Sequence, residues 1–328
     1  MRISFVIPAY NAEKYLARSL NSIAPLLMQG HEAVAVDDGS TDSTPSILAD
    51  FAQKHPNVTI VTQANAGQSV ARNVGIRRAT GDYVWFLDAD DYIDNPLPDL
   101  LQKTLVTGDY DVLVIGRSEE YGDSSVAVPA LETKAYASGI EYFRDANLSA
   151  CYRTQPWDKL VRRSLLIDNN IGFAPGMMFE DMFYCLQVLA VAGRTAQVAV
   201  YPYHYVLYNA GSLTKLTRPV DYDALTATEM ATAFLDEGTY DLKSSDLAFQ
   251  VLVYSFISSC LLKKYIPLSF KQSEAKDFVD RTMRHPLFRK AVRHCALHPS
   301  IGLRRWGMAL CIWISPRMSR HIINRLMH

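Results

Sequence analysis

The chain has 328 residues, 49% of them apolar and 20% charged, with a formal net charge of −1. That is enough chain for one large core or two modest ones. Its five cysteines, odd in number and never spaced Cys-x-x-Cys, speak against a disulfide framework and a zinc site and fit a reducing compartment. The longest apolar runs, Leu247–Leu262 and Trp306–Pro316, are shorter than the ~20 residues that span a bilayer.

Met1–Pro8 reads as a first strand, and Pro8 cuts its apolar stretch too short for a signal peptide. Further apolar strands are predicted over Ala33–Val36, Val58–Thr62, Tyr83–Leu87 and Asp111–Ile115, alternating with helices over Ala12–Leu27, Ser43–Lys54, Gln68–Ala79 and Leu97–Thr107. Alternation of this kind, with strands apolar throughout, predicts an α/β fold whose mainly parallel sheet is flanked by helices. The first helix should bury Tyr15, Leu16, Leu20, Ile23 and Leu27, and Asp42 or Ser43 should cap the second. Gly67 is expected to open the third helix and Gly81 to close it in a left-handed cap. Residues 118–150 are irregular. A mixed segment then carries Trp157, Lys159 and Phe179-Glu180-Asp181, and a short strand is predicted over Gln197–Val200. From about Asp221 the pattern is helical, which divides the chain into residues 1–217 and a helical region 218–328.

Ligands of an open α/β sheet sit at the carboxyl ends of its strands. Three such ends carry polar groups here: Pro8-Ala9-Tyr10-Asn11, Asp37-Asp38-Gly39-Ser40, and Asp88-Ala89-Asp90-Asp91. Two carboxylates one residue apart can hold a hard divalent cation against phosphate oxygens, although strand-end aspartates also cap helices. A second acidic strand end favours a nucleotide-diphosphate site with a metal. No Gly-x-Gly-x-x-Gly follows the first strand and no Gly-x4-Gly-Lys-Ser/Thr exists, which argues against a dinucleotide oxidoreductase and a P-loop NTPase.

Val6-Ile7-Pro8-Ala9-Tyr10-Asn11, Val36-Asp37-Asp38-Gly39-Ser40-Thr41-Asp42, Gln63-Ala64-Asn65-Ala66-Gly67, Ala71-Arg72-Asn73-Val74-Gly75, Ala79-Thr80-Gly81-Asp82-Tyr83 and Leu87-Asp88-Ala89-Asp90-Asp91 follow one another in an order and spacing that resembles the family 2 glycosyltransferases of bacterial cell-envelope polysaccharide synthesis. The resemblance is strong over residues 2–115 and looser over 155–215. It implies a GT-A (nucleotide-diphospho-sugar transferase) fold, a UDP-sugar donor, a carbohydrate or lipid-linked saccharide acceptor and inversion at the anomeric carbon. It further implies that Asp38 bonds the uracil edge, that Pro8 and Tyr10 line the base pocket, and that Arg72 lies near the nucleotide. Asp88 would lie near the ribose and, with Asp90, at a Mg²⁺ or Mn²⁺ ion. Glu180-Asp181 matches the family's later acidic pair, with Asp181 as the base; the same pair also fits ordinary charge in a helix's first turn. Tyr203-His204-Tyr205 and Gly211-Ser212 resemble the motif beside the donor diphosphate, with Val206 where the commonest form carries Arg. His204 can equally be a packed core histidine, and Trp157 and Lys159 resemble positions near the acceptor. A non-catalytic membrane-associated subunit that keeps the fold is the alternative function.

Charge is distributed unevenly. No acidic residue follows Asp280, while residues 281–328 hold nine arginines and Lys290, which leaves residues 1–280 at −11. Met318, Ile322 and Leu326 recur every four residues opposite Arg317, Arg320 and Arg325. This predicts a basic amphipathic tail on an anionic membrane surface, hence a cytoplasmic protein peripheral to the inner face of the cytoplasmic membrane. Packing of the tail on the acidic body is the other reading. Nucleic acid is not expected as a partner, because no recognition fold accompanies the basic residues.

Overall fold

A computed structural model describes residues 1–107, 109–121, 124–128, 131–149, 151–177, 179–207, 223–262 and 279–315. The chain forms two compact units, one of Met1–Tyr142 with Arg153–Ala210 and the other of Phe143–Tyr152 with Gly211–His328. The sequence boundary expected at 217, Ser212 and the repeat at Met318, Ile322 and Leu326 lie outside the described residues.

The first unit opens with β1 (Ile3–Ala9), α1 (Leu16–Met28), β2 (Glu32–Asp37), α2 (Thr44–Lys54), β3 (Val58–Thr62), α3 (Gln68–Arg78) and β4 (Tyr83–Phe86). After these come β5 (Tyr92–Ile93), α4 (Asp99–Thr107), β6 (Val112–Tyr121), β7 (Ser124–Val128), β8 (Lys134–Tyr136) and α5 (Gly139–Leu148), a helix whose residues from Phe143 on belong to the second unit. The series ends with β9 (Lys159–Arg162), α6 (Arg163–Asp168), α7 (Glu180–Val191) and β10 (Thr195–Val206). The sheet runs β3-β2-β1-β4-β9-β6-β10-β5, with β7 on β6 and β8 on β10. Pairing is parallel through β3, β2, β1 and β4 and between β6 and β10, whereas β9 lies antiparallel to both β4 and β6. All seven residues of β1 and all four of β4 are buried, as strands covered on both faces require.

Several local details depart from expectation. Asn11 adopts φ 47° and the chain turns there, with the Ala12 amide donating to Thr44 Oγ1. Helix α1 therefore starts at Leu16, and Tyr15 stands before it, half-buried. Asp42 Oδ1 accepts from the Thr44 amide and so serves the start of α2. Gly81 is no left-handed cap: α3 ends at Arg78, and Gly81 is absent from the positive-φ residues. Its lack of a side chain serves close approach, since a Cβ would lie 2.7 Å from Ser4 Oγ and 2.8 Å from the Arg2 carbonyl. Gly75 does the same for the packing of α3 on β1, where a Cβ would collide with Val6 Cγ1. Gly75→Ala is expected to cost about 1–3 kcal/mol, read as a lower urea midpoint at unchanged slope; an unchanged midpoint would contradict this packing.

The second unit contains α8 (Asp223–Glu237), α9 (Leu247–Leu262), α10 (Pro286–Leu297) and α11 (Leu303–Ile314). Helix α9, apolar on all sides, buries Phe249, Val251, Leu252, Val253, Tyr254 and Ile257, and packs on α10, which packs on α11. Among the described residues no helix is long and apolar enough to cross a membrane.

Candidate active site

The carboxyl ends of β1, β2 and β4 meet at one edge of the parallel sheet, as their register dictates. The loops after β1 and β2 are laced together. The Asn11 amide donates to Ser40 Oγ, the Thr41 amide to Asn11 Oδ1, the Glu13 amide to Asp42 and the Ser43 amide to Glu13. Pro8 is buried within β1, and Tyr10 stands beyond it, 51% exposed and available to a flat ligand. Asp38 is buried and accepts three bonds, from Gln63 Nε2 (2.7 Å), the Ala66 amide (2.9 Å) and the Gly67 amide (2.8 Å). A carboxylate has about four acceptor sites, so most of this one is spent holding the 63–67 loop to the end of β2. Gly67, at φ 91°, supplies the turn that brings its amide to Asp38.

The centre of the site is Arg72, which projects from α3 and is 2% exposed. Its Nη2 donates to Asp88 Oδ1 (3.0 Å), while its Nη1 donates to Asp181 Oδ1 (2.8 Å) and Glu180 Oε1 (3.3 Å). The guanidinium lies 5.0 Å from the ring of Phe173, which stacks on Tyr184 at 4.1 Å. Sequence reasoning placed Arg72 near a nucleotide; the structure makes it the cation that joins the end of β4 to the start of α7. No spacing rule reveals this, because the partners lie 16, 108 and 109 residues away. Burial opposes its charge, but Asp181, Asp88 and Glu180 outweigh that and raise its pKa.

Glu180 and Asp181 do occupy the first turn of α7, so the helix-terminus reading is correct as to place. They also face Arg72. Phe179, which precedes them, has φ 66°, an unusual conformation for a bulky residue and one that concentrates at functional sites. Burial raises the Asp181 carboxyl, Glu180 and Asp88 push the same way, and Arg72 and Lys159 only partly offset them, for a pKa of about 7. Its side chain keeps 29% exposure. A carboxylate that gains and loses a proton near neutrality, and still reaches solvent, can take a proton from a ligand.

At the end of β4 three aspartates have different surroundings. Asp88 is half-buried between Arg72 and Gln68 Nε2 (3.2 Å). Asp90 is half-buried, and its carbonyl accepts from Arg18 Nη2 (2.7 Å). Asp91 is buried, accepting from Tyr203 Oη (2.7 Å) and the Val206 amide (2.9 Å). Tyr203 Oη in turn accepts from the Asp88 amide at 3.2 Å, so β10 underpins the whole acidic turn. Burial, with Asp90 and Asp88 nearby, drives the Asp91 carboxyl well above the usual carboxylate range. Among the described residues no group of three or more His, Cys, Asp or Glu is placed to hold a metal. A magnesium-type ion on a nucleotide needs only one or two carboxylates plus phosphate oxygens and water, and Asp88 with Asp90 fits that donor set.

The remaining candidates divide. Nδ1 of His204 pairs with Glu120 (2.7 Å) and Nε2 with Asp94 (2.8 Å), and its ring stacks on Tyr92 at 4.3 Å, so both nitrogens are engaged. Trp157 is buried and stacked on Tyr203 (4.5 Å) and Tyr205 (5.4 Å). Lys159 is fully buried and donates to Asp158 (2.5 Å) and to the carbonyls of Arg153 and Gln155, fixing the segment that precedes β9. Phe173, beside Arg72, is a contributor that the sequence does not single out; Tyr203 stands in the motif Tyr203-His204-Tyr205, but its place beneath the acidic turn depends on Asp91, 112 residues away.

The model of "Glycosyl transferase family 2" matches residues 4–179. The glycosyltransferase YibD of Escherichia coli is 31% identical over 222 residues, which make up 66% of this chain and 64% of that protein. EpsJ of Bacillus subtilis, also a glycosyltransferase, is 26% identical over 322 residues, covering 95% of this chain and 92% of its own. Among solved structures, residues 1–349 of Staphylococcus aureus TarS in complex with UDP-GlcNAc superpose with a TM-score of 0.71 at 22% identity, covering 97% of this chain and 92% of that one. At that identity the likeness establishes the fold, a GT-A-type sheet flanked by helices.

Proposed function

The chain belongs to glycosyl transferase family 2, and from that premise we propose that it moves a sugar from a UDP-sugar to a hydroxyl of a carbohydrate or lipid-linked saccharide during synthesis of a cell-surface polymer. The observation that carries this reading is the joining, through Arg72, of the acidic end of β4 to a solvent-reaching carboxylate whose pKa lies at about 7. UDP-GlcNAc in the TarS crystal supports the class of donor. A TarS sequence 29% identical over 250 residues is a poly(ribitol-phosphate) beta-N-acetylglucosaminyltransferase, which supports the class of product.

The acceptor oxygen attacks the anomeric carbon as the bond from that carbon to the diphosphate oxygen breaks. The electron pair leaves with UDP, the hydroxyl proton passes to Asp181, and a single displacement inverts the centre. Glu180 and Arg72 set the position and proton affinity of Asp181. Tyr10, Pro8 and Asp38 form the nucleoside side, with Asp38 acting by fixing the 63–67 loop. Asp88 is assigned to the ribose and Ser212 to the diphosphate side by resemblance of motif; His204, whose nitrogens are held by Glu120 and Asp94, serves that side by positioning the end of β10. A bound Mg²⁺ or Mn²⁺ would be held by Asp90 and Asp88 and would neutralise charge developing on the diphosphate. The basic residues 281–328 suit work at the anionic inner face of the cytoplasmic membrane.

Asp90→Asn tests the assignment. UDP release is expected to fall on the order of 100-fold or more, with the far-UV circular dichroism unchanged and metal-dependent UDP binding lost. Turnover close to wild type would remove Asp90 from the mechanism.

A further inference from the structure

The second unit carries a surface that the transfer reaction does not use. On α10, Phe288, Ala291, Val292, Cys295 and Ala296 are buried, while Arg289, Lys290, Arg293 and Leu297 are exposed. With His294 and, from α11, Trp313, the exposed residues line a cavity of about 600 Å³. Neighbouring contacts tie α10 to α11 and α9: Trp306 Nε1 donates to the Ala296 carbonyl (3.0 Å), and the Phe288 ring lies parallel to that of Tyr254. Among the described residues Arg289, Lys290 and Arg293 have no hydrogen bond or ion pair from their side chains, and no acidic residue occurs anywhere from 281 to 328. Ordinary surfaces intersperse both signs of charge; residues 281–328 do not, although Glu229 meets His285 just before α10. Nδ1 of His294 is buried there with no partner.

The rim is apolar. In α11 the only buried side chain is Ala309, whereas Leu303 is 80%, Ile314 71% and Trp313 43% exposed. A soluble polyanion would satisfy the arginines but leave these side chains in water. A protein partner could cover them, but only with matching carboxylates. Phosphate at the depth of the cations, with a glycerol and acyl boundary beside an exposed tryptophan, is what an anionic bilayer presents.

We propose that the cleft between α10 and α11 docks the phosphate headgroup of an anionic phospholipid, with Trp313 and Ile314 entering the acyl boundary. This rests on the reading that the protein works at a membrane surface, and it assigns that contact to residues 289–314 as well as to the tail beyond them.

The test is sedimentation of the full-length protein with vesicles of phosphatidylglycerol and phosphatidylcholine, or of phosphatidylcholine alone. The wild type is expected to bind the anionic vesicles only, less so at higher salt. Arg289→Gln/Lys290→Gln/Arg293→Gln should lower the partition coefficient on the order of 100-fold, and Trp313→Ala should lower it several-fold. Both should hydrolyse a UDP-sugar in solution like the wild type, since the exposed positions lie outside the catalytic cluster. Arg317→Gln/Arg320→Gln/Arg325→Gln should leave most of the binding. Wild-type protein that ignores anionic vesicles would overturn the membrane reading itself. Binding that survives the triple change in α10 but is lost with the tail change would overturn the site while sparing the membrane reading. Self-association of the wild type that the triple change abolishes, with no response to lipid, would assign the surface to a second copy instead.

Discussion

Asp181→Asn is expected to abolish measurable turnover and, at pH 8, to raise the melting temperature. An amide cannot accept the acceptor's proton, and loss of a positioned base costs roughly 100- to 10,000-fold. In the wild type the rate should climb with pH and reach half its plateau near 7, where the carboxyl loses its proton. The stability effect has the opposite sign and the same origin. The folded-state pKa of about 7 lies above the 3.8 of an ordinary aspartate, so between those values the native state holds a proton that the unfolded chain has released. Stability from this group is complete below the lower value and is lost as pH rises through the upper one. The amide resembles the protonated acid at every pH. Its advantage should therefore be greatest above pH 7 and fade toward pH 5, at about 1 kcal/mol once partial exposure of the side chain is allowed for. A pH-independent rate between 6 and 8, or a variant within tenfold of wild-type turnover, would refute the assignment of Asp181 as base.

Arg72→Met is expected to cost about 3–5 kcal/mol of folding stability, together with the activity. The side chain is buried, and the change would leave Asp88, Glu180 and Asp181 crowded together without their shared cation. Arg72→Lys should recover only part of the loss, because an ammonium cannot match a planar fork that reaches three carboxylates at once. Combining Arg72→Met with Asp181→Asn should cost less than the sum of the separate changes, since one of the stranded charges is then gone. Urea unfolding at pH 7.5 gives all three values. If Arg72→Met unfolds at the wild-type midpoint, the guanidinium does not hold the acidic strand end to α7.

The legible parts of the fold are those governed by neighbours in the chain. Ile3–Ala9 and Tyr83–Phe86 announce themselves because a strand covered on both faces must be apolar at consecutive positions. The acidic tips stand out because carboxylates cluster within a few residues of the apolar runs, at Asp37-Asp38 and at Asp88-Ala89-Asp90-Asp91. Strand β9 is not legible in the sequence for the converse reason: it has four residues and begins with a lysine, which is tolerable inside only because Asp158 and two carbonyls meet its ammonium. Its insertion between β4 and β6 turns a sheet expected to be mainly parallel into a mixed one at that point. Gly81 departs from expectation because a glycine after a helix usually serves the backbone angle, whereas here it makes room for Ser4 and Arg2.

By itself the amino-acid order determined the strand and helix alternation, the placing of carboxylates at strand ends, and a family signature, all of which depend on spacings of a few residues. The tertiary structure alone decided what those carboxylates meet. Arg72 reaches Asp181 across 109 residues of sequence, Asp38 is spent on a loop that begins 25 residues later, and Tyr203 supports a turn 112 residues before it. Charge and proton affinity follow distance in space, and the topology of the sheet sets that distance.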